Sequence, residues 1–324
     1  MLRRVDKATR TNQVTVFGPA SLSNLGPGFD ALGLCLEGMG DVVEAWLTEE
    51  PGVHLGLCEG TAKVPRDPNK NTATRAALAV LEQADATQGI GMRIRKGIPL
   101  GSGIGGSSAS AVAGAWATNL VLGAPFSKVE LLDAVMEGES IASGARHGDN
   151  VLPTLFGGLV LLSPTNPAYF SQIVLPGPLP IALVLPKIEV LTQVARTILP
   201  QQVPFTDAIH NAADLALMVE AFRAGDWERA GMLMMRDRLV EPVRAQLVPC
   251  YAAVRQAALE AGAYGCALTG SGPAMFALAA TNDAAHHVLE AMQMACTEAG
   301  IEAEGRLTAA SAEGVRIMEE KHAE

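Results

Sequence analysis

Apolar and polar residues alternate along Gly91-Met-Arg-Ile-Arg-Lys-Gly-Ile98, the period that sends successive side chains to opposite faces of a strand. Shorter apolar stretches predict further strands over 13–18 and 40–48. Between and after them, patterns of helical period predict helices over 70–86, 107–122 and 128–142. The second of these is alanine-rich, with Val112, Trp116 and Leu120 spaced four apart on one face. A proline-rich passage over 164–180 then interrupts the pattern and marks a domain boundary, giving domains 1–163 and 164–324. Beyond it, 181–185 and 275–279 read as strands, and 206–224, 226–239, 250–262 and 283–299 as helices. Such a mixture, with helices gathered on one side of the sheets, predicts an α+β protein.

Composition narrows the function classes. A chain of 324 residues with 49% hydrophobic residues can bury a sizeable core, and 4% aromatics leave that core to Ala, Leu, Val and Met. A net charge of −10 argues against a nucleic-acid partner, which needs a basic surface. The cysteines at 35, 58, 250, 266 and 296 show no C-x-x-C spacing and predict reduced thiols in a cytoplasmic protein. Met1-Leu-Arg-Arg-Val-Asp6 lacks an apolar signal core, and runs such as 181–185 are too short to span a bilayer, so no membrane partner is expected.

Chemistry concentrates in one loop, Pro99-Leu-Gly-Ser-Gly-Ile-Gly-Gly-Ser-Ser-Ala-Ser110, between the alternating strand and the alanine-rich helix. Glycines let backbone N–H groups turn toward a ligand, and the helix start near Ser107 adds unpaired donors and the positive end of a dipole. A Gly/Ser cluster can be a plain turn, but strand, glycine loop and helix in succession favour a phosphate site. Gly101, Gly103 and Gly106 satisfy G-x-G-x-x-G, yet the preceding strand carries Arg93, Arg95 and Lys96, unlike the buried parallel strand of a dinucleotide fold. The Gly-Lys-Ser/Thr ending of common NTPases and the catalytic-loop signatures of protein kinases are both missing from the sequence.

Three separated segments resemble the GHMP kinases, the superfamily of galactokinase, homoserine kinase, mevalonate kinase and phosphomevalonate kinase. They are Gly18-Pro-Ala-Ser-Leu-Ser-Asn-Leu-Gly-Pro-Gly-Phe-Asp30, the loop from Pro99, and Thr269-Gly-Ser-Gly-Pro273. Within that superfamily, residues 23–30, Arg146-His-Gly-Asp-Asn-Val151, Ala195-Arg-Thr-Ile-Leu-Pro200 and Glu241-Pro-Val-Arg244 are most similar to the homoserine kinase branch, nearly end to end. The resemblance implies a two-domain fold, an N-terminal βα domain and a C-terminal ferredoxin-like α/β sandwich with the active site between them. It implies ATP-dependent phosphorylation of L-homoserine to O-phospho-L-homoserine on the way to threonine, with Mg²⁺, small-molecule partners only, and dimers frequent in the family.

The resemblance also assigns roles. Pro99, Leu100, Gly101, Ser102, Gly103, Ile104, Gly105, Gly106, Ser107, Ser108 and Ala109 form the ATP loop, and the Thr269–Pro273 turn braces it. A loop serine and a downstream glutamate hold Mg²⁺, matching Ser107 and Glu139. At Gly106 the family more often has the first of two paired serines, so Ser108 stays open as the hydroxyl. On spacing alone Glu137 competes with Glu139, although residues two apart do not share a helix face. Asn71 reads as a helix N-cap, and the family role places it near adenine as well. For the acceptor, Arg196 and Arg244 match carboxylate-binding arginines, and Asp30 suits an ammonium. Asn24, His147 and Asn150 orient the amino acid, Asn150 at its hydroxyl, with Asp149 the alternative as a general base. Two other readings remain at this stage. One is a mevalonate- or shikimate-type kinase, whose acceptor carries no ammonium for Asp30. The other is a non-catalytic ligand sensor on the same fold.

Overall fold

In the computed structural model, which describes residues 11–60, 64–144 and 146–322, the chain folds around two sheets. The N-terminal six residues read above for a targeting signal lie outside the described residues. The first half runs β1 (Thr11–Asn24), β2 (Gly28–Thr48), β3 (Gly52–Gly60), α1 (Thr72–Gln83), β4 (Gly89–Lys96), α2 (Gly106–Val121), α3 (Leu132–Ser143), α4 (Gly148–Phe156), β5 (Leu159–Ser163) and β6 (Asn166–Ile173). The second runs β7 (Pro180–Pro186), α5 (Thr192–Thr197), α6 (Phe205–Ala224), α7 (Trp227–Met234), α8 (Glu241–Arg244), α9 (Tyr251–Glu260), β8 (Gly265–Leu268), β9 (Met275–Leu278), α10 (Asn282–Glu298), β10 (Ala303–Ala309) and β11 (Arg316–His322).

The first sheet has the order β11–β1–β2–β4–β3, with β5 and β6 added along the early part of β2. β2 is long because it serves two neighbours in turn: residues 32–34 pair with β5, and 42–48 pair with β4. Among the described strands only β3 and β4 pair in parallel, and α1 lies between them in the chain as a crossover requires. The predicted alternation in β4 holds for Arg93 and Arg95, which are exposed, against Met92 and Ile94, which are buried. Lys96 falls on the same face as Met92 and Ile94 and is buried with them. The valines and isoleucines of this face pack against α1, α2 and α3, where alanines at 73, 76, 77, 111, 113, 115 and 117 let the helices approach closely.

The second sheet is antiparallel with the order β10–β7–β9–β8, which is 4-1-3-2 in its own chain order, the ferredoxin-like arrangement. β7 is buried along its whole length because both faces are covered. Ile181, Leu183 and Leu185 join α6 and α7, while Ala182 and Val184 join the core under α9 and α10. The core of α6 and α7 also takes in Leu22, Leu32, Leu34 and Leu36 of the first sheet, so one apolar layer binds the two halves.

The boundary expected at 163/164 falls in the turn of the β5–β6 hairpin, where Ser163 pairs with Asn166. Pro164 and Pro167 punctuate a hairpin there, and β6 stays in the first sheet. The chain passes to the second sheet between β6 and β7, and it returns at its end when β11 pairs with β1. Among the described residues no helix is long and apolar enough to cross a membrane.

Candidate active site

The glycine loop and the start of α2 open onto a cleft of about 810 Å³ that is lined from both halves of the molecule. Gly101, Gly103 and Gly105 all adopt φ between 66° and 83°. An added Cβ at Gly103 would lie 2.8 Å from the Thr269 carbonyl oxygen and 2.9 Å from that of Gly272. The first bond into α2 runs from Ala109 N–H to the Gly105 carbonyl at 2.8 Å, and no side chain caps the helix. The N–H groups of Gly106, Ser107 and Ser108 therefore lie ahead of the helical ladder, at its positive end. An uncapped helix start behind a glycine loop is the geometry that suits an anion.

The loop is held from two sides. Thr269 Oγ1 donates to the Gly103 carbonyl (3.0 Å) and accepts from Ser23 N–H (3.1 Å), while Ser21 N–H donates to the Ile104 carbonyl (3.2 Å). Below the loop, Lys96 forms an ion pair with Asp41 and donates to the Gly106 carbonyl (2.8 Å) and Ser110 Oγ (3.0 Å). Asp41 also accepts from Gly97 and Ile98 N–H. Lys96 and Asp41 are 2% and 0% exposed, a buried ion pair whose polar atoms are matched by these hydrogen bonds. Lys96, one of the three basic residues that set this strand apart in the sequence, anchors the strand to the helix start.

Ser107 Oγ donates to Glu139 Oε1 at 2.9 Å, and both residues line the cleft. Burial pushes the Glu139 carboxyl up to about 7, with the Asp149 charge adding to the rise and the two serine hydroxyls opposing it. Glu137, on the other face of α3, pairs with Arg75 and does not line the cleft. Ser108 is fully buried and does not line the cleft, so Ser107 is the hydroxyl on offer. A side chain at Gly106 would press on Ile98, 2.9 Å from its Cγ2.

Across the cleft, Asp30 and Arg196 form a bidentate pair at 2.8 and 3.0 Å. Arg196 also donates to His147 Nδ1 (3.3 Å), which requires that nitrogen to be unprotonated; burial, then Arg196, hold the imidazole below its usual range. Arg244 is 3% exposed and donates to the carbonyls of Ala195 (3.2 Å) and Gly270 (2.6 Å). Burial and the neighbouring Arg196 lower it to about 10. Both guanidiniums lie over the Phe29 ring, 4.8 and 5.4 Å from its centroid. Asn24 donates to the Gly270 carbonyl (2.9 Å) and accepts from Asp30 N–H (3.1 Å).

Asp149 and Asn150 open α4 between these two regions. The Asn150 amide is fixed: Ser21 Oγ donates to its Oδ1 (2.9 Å), and its Nδ2 donates to Ser23 Oγ (3.0 Å). Burial raises Asp149 to about 6, Asp30 adds to that, and Arg196 and Ser23 oppose it.

The cleft thus gathers Asn24, Asp30, Glu139, His147, Asn150, Arg196, Arg244 and most of the loop, whereas Asn71, Ile104, Ser108 and Ala109 do not line it. Asn71 caps α1, accepting from Ala73 and Thr74 N–H, and its Nδ2 is spent on the Pro65 carbonyl. Ile104 and Ala109 are buried in the core shared by the two halves. Ser21, Ser23 and Phe29 carry no assigned role in the sequence reading, although two serines two apart around Leu22 signal a shared face for the first pair.

Comparison with known proteins follows the same lines. The family model described as GHMP kinases N terminal domain matches residues 71–158, and that described as GHMP kinases C terminal matches 218–297. The chain is 40% identical to a homoserine kinase of Pyrococcus abyssi over 293 residues, covering 90% of this chain and 96% of that protein. It is 36% identical to a homoserine kinase of Xylella fastidiosa over 314 residues, with 96% of each covered. A crystal structure of homoserine kinase from Cytophaga hutchinsonii superposes with a TM-score of 0.91 at 35% identity, covering 97% of this chain and all of the other.

Proposed function

Since the chain belongs to the GHMP kinases, and among them to the homoserine kinases, we propose that it transfers the terminal phosphoryl group of ATP to the hydroxyl of L-homoserine in the cleft described above. The product, O-phospho-L-homoserine, leads toward threonine. One observation carries the acceptor assignment: two guanidiniums and one carboxylate, Arg196, Arg244 and Asp30, line the same cleft as the glycine loop and the start of α2. An amino-acid zwitterion matches that set charge for charge, its carboxylate on the arginines and its ammonium on Asp30. Mevalonate and shikimate offer no ammonium, and either would leave Asp30 facing an acceptor without a cation.

The backbone donors of 106–108 receive the polyphosphate. Ser107 and Glu139 present a hydroxyl and a carboxylate oxygen side by side, the hard donors Mg²⁺ prefers. Among the described residues no three His, Cys, Asp or Glu cluster to hold a metal alone, which suits an ion that takes one or two protein oxygens and completes its shell with phosphate and water. When bound, Mg²⁺ neutralises charge on the phosphate oxygens. Glu139 binds the ion, and Asn150, pinned by Ser21 and Ser23, orients the acceptor hydroxyl. The five thiols, none in a disulfide, fit a reducing compartment and support a cytoplasmic location.

An ADP-release assay with homoserine, mevalonate and shikimate tests the assignment. Turnover is expected with homoserine alone. Turnover with none of them, despite measurable ATP binding, would sink the kinase reading.

Asp149 supports a second reading at one step, because a carboxyl raised to about 6 near the acceptor has the affinity of a general base. A loose phosphoryl-transfer transition state needs little help of that kind. Asp149→Asn is therefore expected to keep kcat within about tenfold of wild type. A loss beyond about 10³-fold in folded protein, the size typical of a missing base, would make Asp149 the proton acceptor.

A further inference from the structure

The turn that carries Arg244 is tied to a neighbouring strand and helix by a carboxylate that does not line the cleft. Glu241 begins the single turn of α8 that ends in Arg244, and it is 8% exposed. Asp237 fixes the start of that turn by accepting from Leu239 N–H (2.9 Å), Val240 N–H (3.3 Å) and Glu241 N–H (2.7 Å). One oxygen of Glu241, Oε1, then accepts both the Tyr251 hydroxyl of α9 (2.7 Å) and the Leu268 N–H of β8 (3.2 Å). Leu268 is followed at once by Thr269, which braces the ATP loop, and Gly270, whose carbonyl accepts from Arg244 and Asn24. A single carboxylate oxygen therefore joins the turn that carries Arg244 to the strand end that carries its carbonyl partner.

Resting on the homoserine kinase reading above, we propose that Glu241 is a positioning residue that locks the Arg244 turn to the end of β8 and so sets the affinity for the acceptor. The lock is stronger with an ionised acceptor than a neutral one, since charge-assisted hydrogen bonds are roughly twice as strong. Four other titratable groups face it: Asp237 ahead of the turn, Tyr251 and Arg255 on α9, and Cys266 on β8. Burial raises the Glu241 carboxyl to about 7; the Tyr251 bond and Arg255 pull it down, and Asp237 pushes it up. The lock then weakens as pH falls through about 7, because protonation removes the charge from the shared oxygen.

The test measures KM for homoserine and for ATP, with kcat, from about pH 6 to about pH 9 in wild type, Glu241→Gln and Tyr251→Phe. In wild type the homoserine KM should rise about tenfold toward the acid end, with a smaller change for ATP. Glu241→Gln, which keeps the shape and a neutral acceptor, should show the raised homoserine KM throughout and lose that inflection. Tyr251→Phe removes a donor that favours the charged form, so its inflection should move to higher pH. The terminal phosphate of ATP and the other cleft groups titrate in all three proteins and cancel in the comparison. An unaltered profile in Glu241→Gln would overturn the proposal, as would an equal rise in both KM values in the two variants. A wild type that turns over no homoserine would overturn the acceptor reading itself and the lock with it, a result distinct from either.

Discussion

Replacing Arg244 with leucine raises the homoserine KM by about 10²- to 10³-fold and the ATP KM by no more than about fivefold. Arg244 lies buried between α5 and the Thr269–Pro273 turn, and its guanidinium spends two bonds on carbonyls while lying over Phe29. A carboxylate arriving there meets a cation already oriented and stripped of water, the condition in which losing a charged partner costs several kcal/mol. The same bonds set the limit on the ATP effect. Gly270 loses one of two donors but keeps Asn24, so the brace on the ATP loop loosens without parting. Ala195 loses its Arg244 bond outright, and a melting point a few degrees lower should accompany the kinetic change. Steady-state kinetics with each substrate varied in turn checks the split. Equal rises in both KM values would assign Arg244 to the support of the ATP loop and remove it from the acceptor pocket.

The parts of the fold legible in the sequence are those whose pattern is set locally. Apolar period marked α2, α6, α9 and α10, and a continuous apolar run marked β7, because each buries its face against neighbours close at hand. Asn71 announced α1 through its own cap bonds. Edge and hairpin strands were missed for the converse reason. β6 and β10 are largely exposed or half-buried, and pairing makes them strands, β6 in its hairpin with β5 and β10 beside the distant β7. α4 was hidden by Pro153 within it and Gly148 at its start, residues that read as breakers until tertiary packing overrides them.

The site divides in the same way. Its glycine loop was visible because consecutive residues build it, and the motif segments named most of the acceptor groups. What sequence spacing could not supply is how the charges satisfy one another. Lys96 meets Asp41 on the neighbouring strand, and Asp30 of the first half of the chain meets Arg196 of the second. Each partner alone looks like an ordinary surface charge. Glu137 and Glu139 show how little separates the cases. Both sit on α3, two residues apart; one pairs with Arg75 near solvent and the other is sealed against Ser107.

That contrast frames the strongest expected loss of turnover. Glu139→Gln keeps the amide oxygen as an acceptor for Ser107 and removes only the charge, so the protein should fold while kcat falls by about 10³-fold. The proposed role of Glu139 is to hold Mg²⁺ against the phosphate oxygens, and a neutral amide is a far weaker ligand for a hard dication. The Mg²⁺ concentration that gives half-maximal rate should accordingly rise in the variant, while the homoserine KM changes little. Glu137→Gln is the matched control on the same helix: its loss breaks a half-exposed ion pair with Arg75, worth about 1 kcal/mol or less, and activity should stay within about twofold. Rates measured across a Mg²⁺ titration for the three proteins decide the matter. If Glu139→Gln retained a tenth of wild-type turnover with an unshifted Mg²⁺ requirement, the ion would have to be held by the phosphates and Ser107 without the carboxylate. The burial of Glu139 beside Asp149 would then need a purely structural cause.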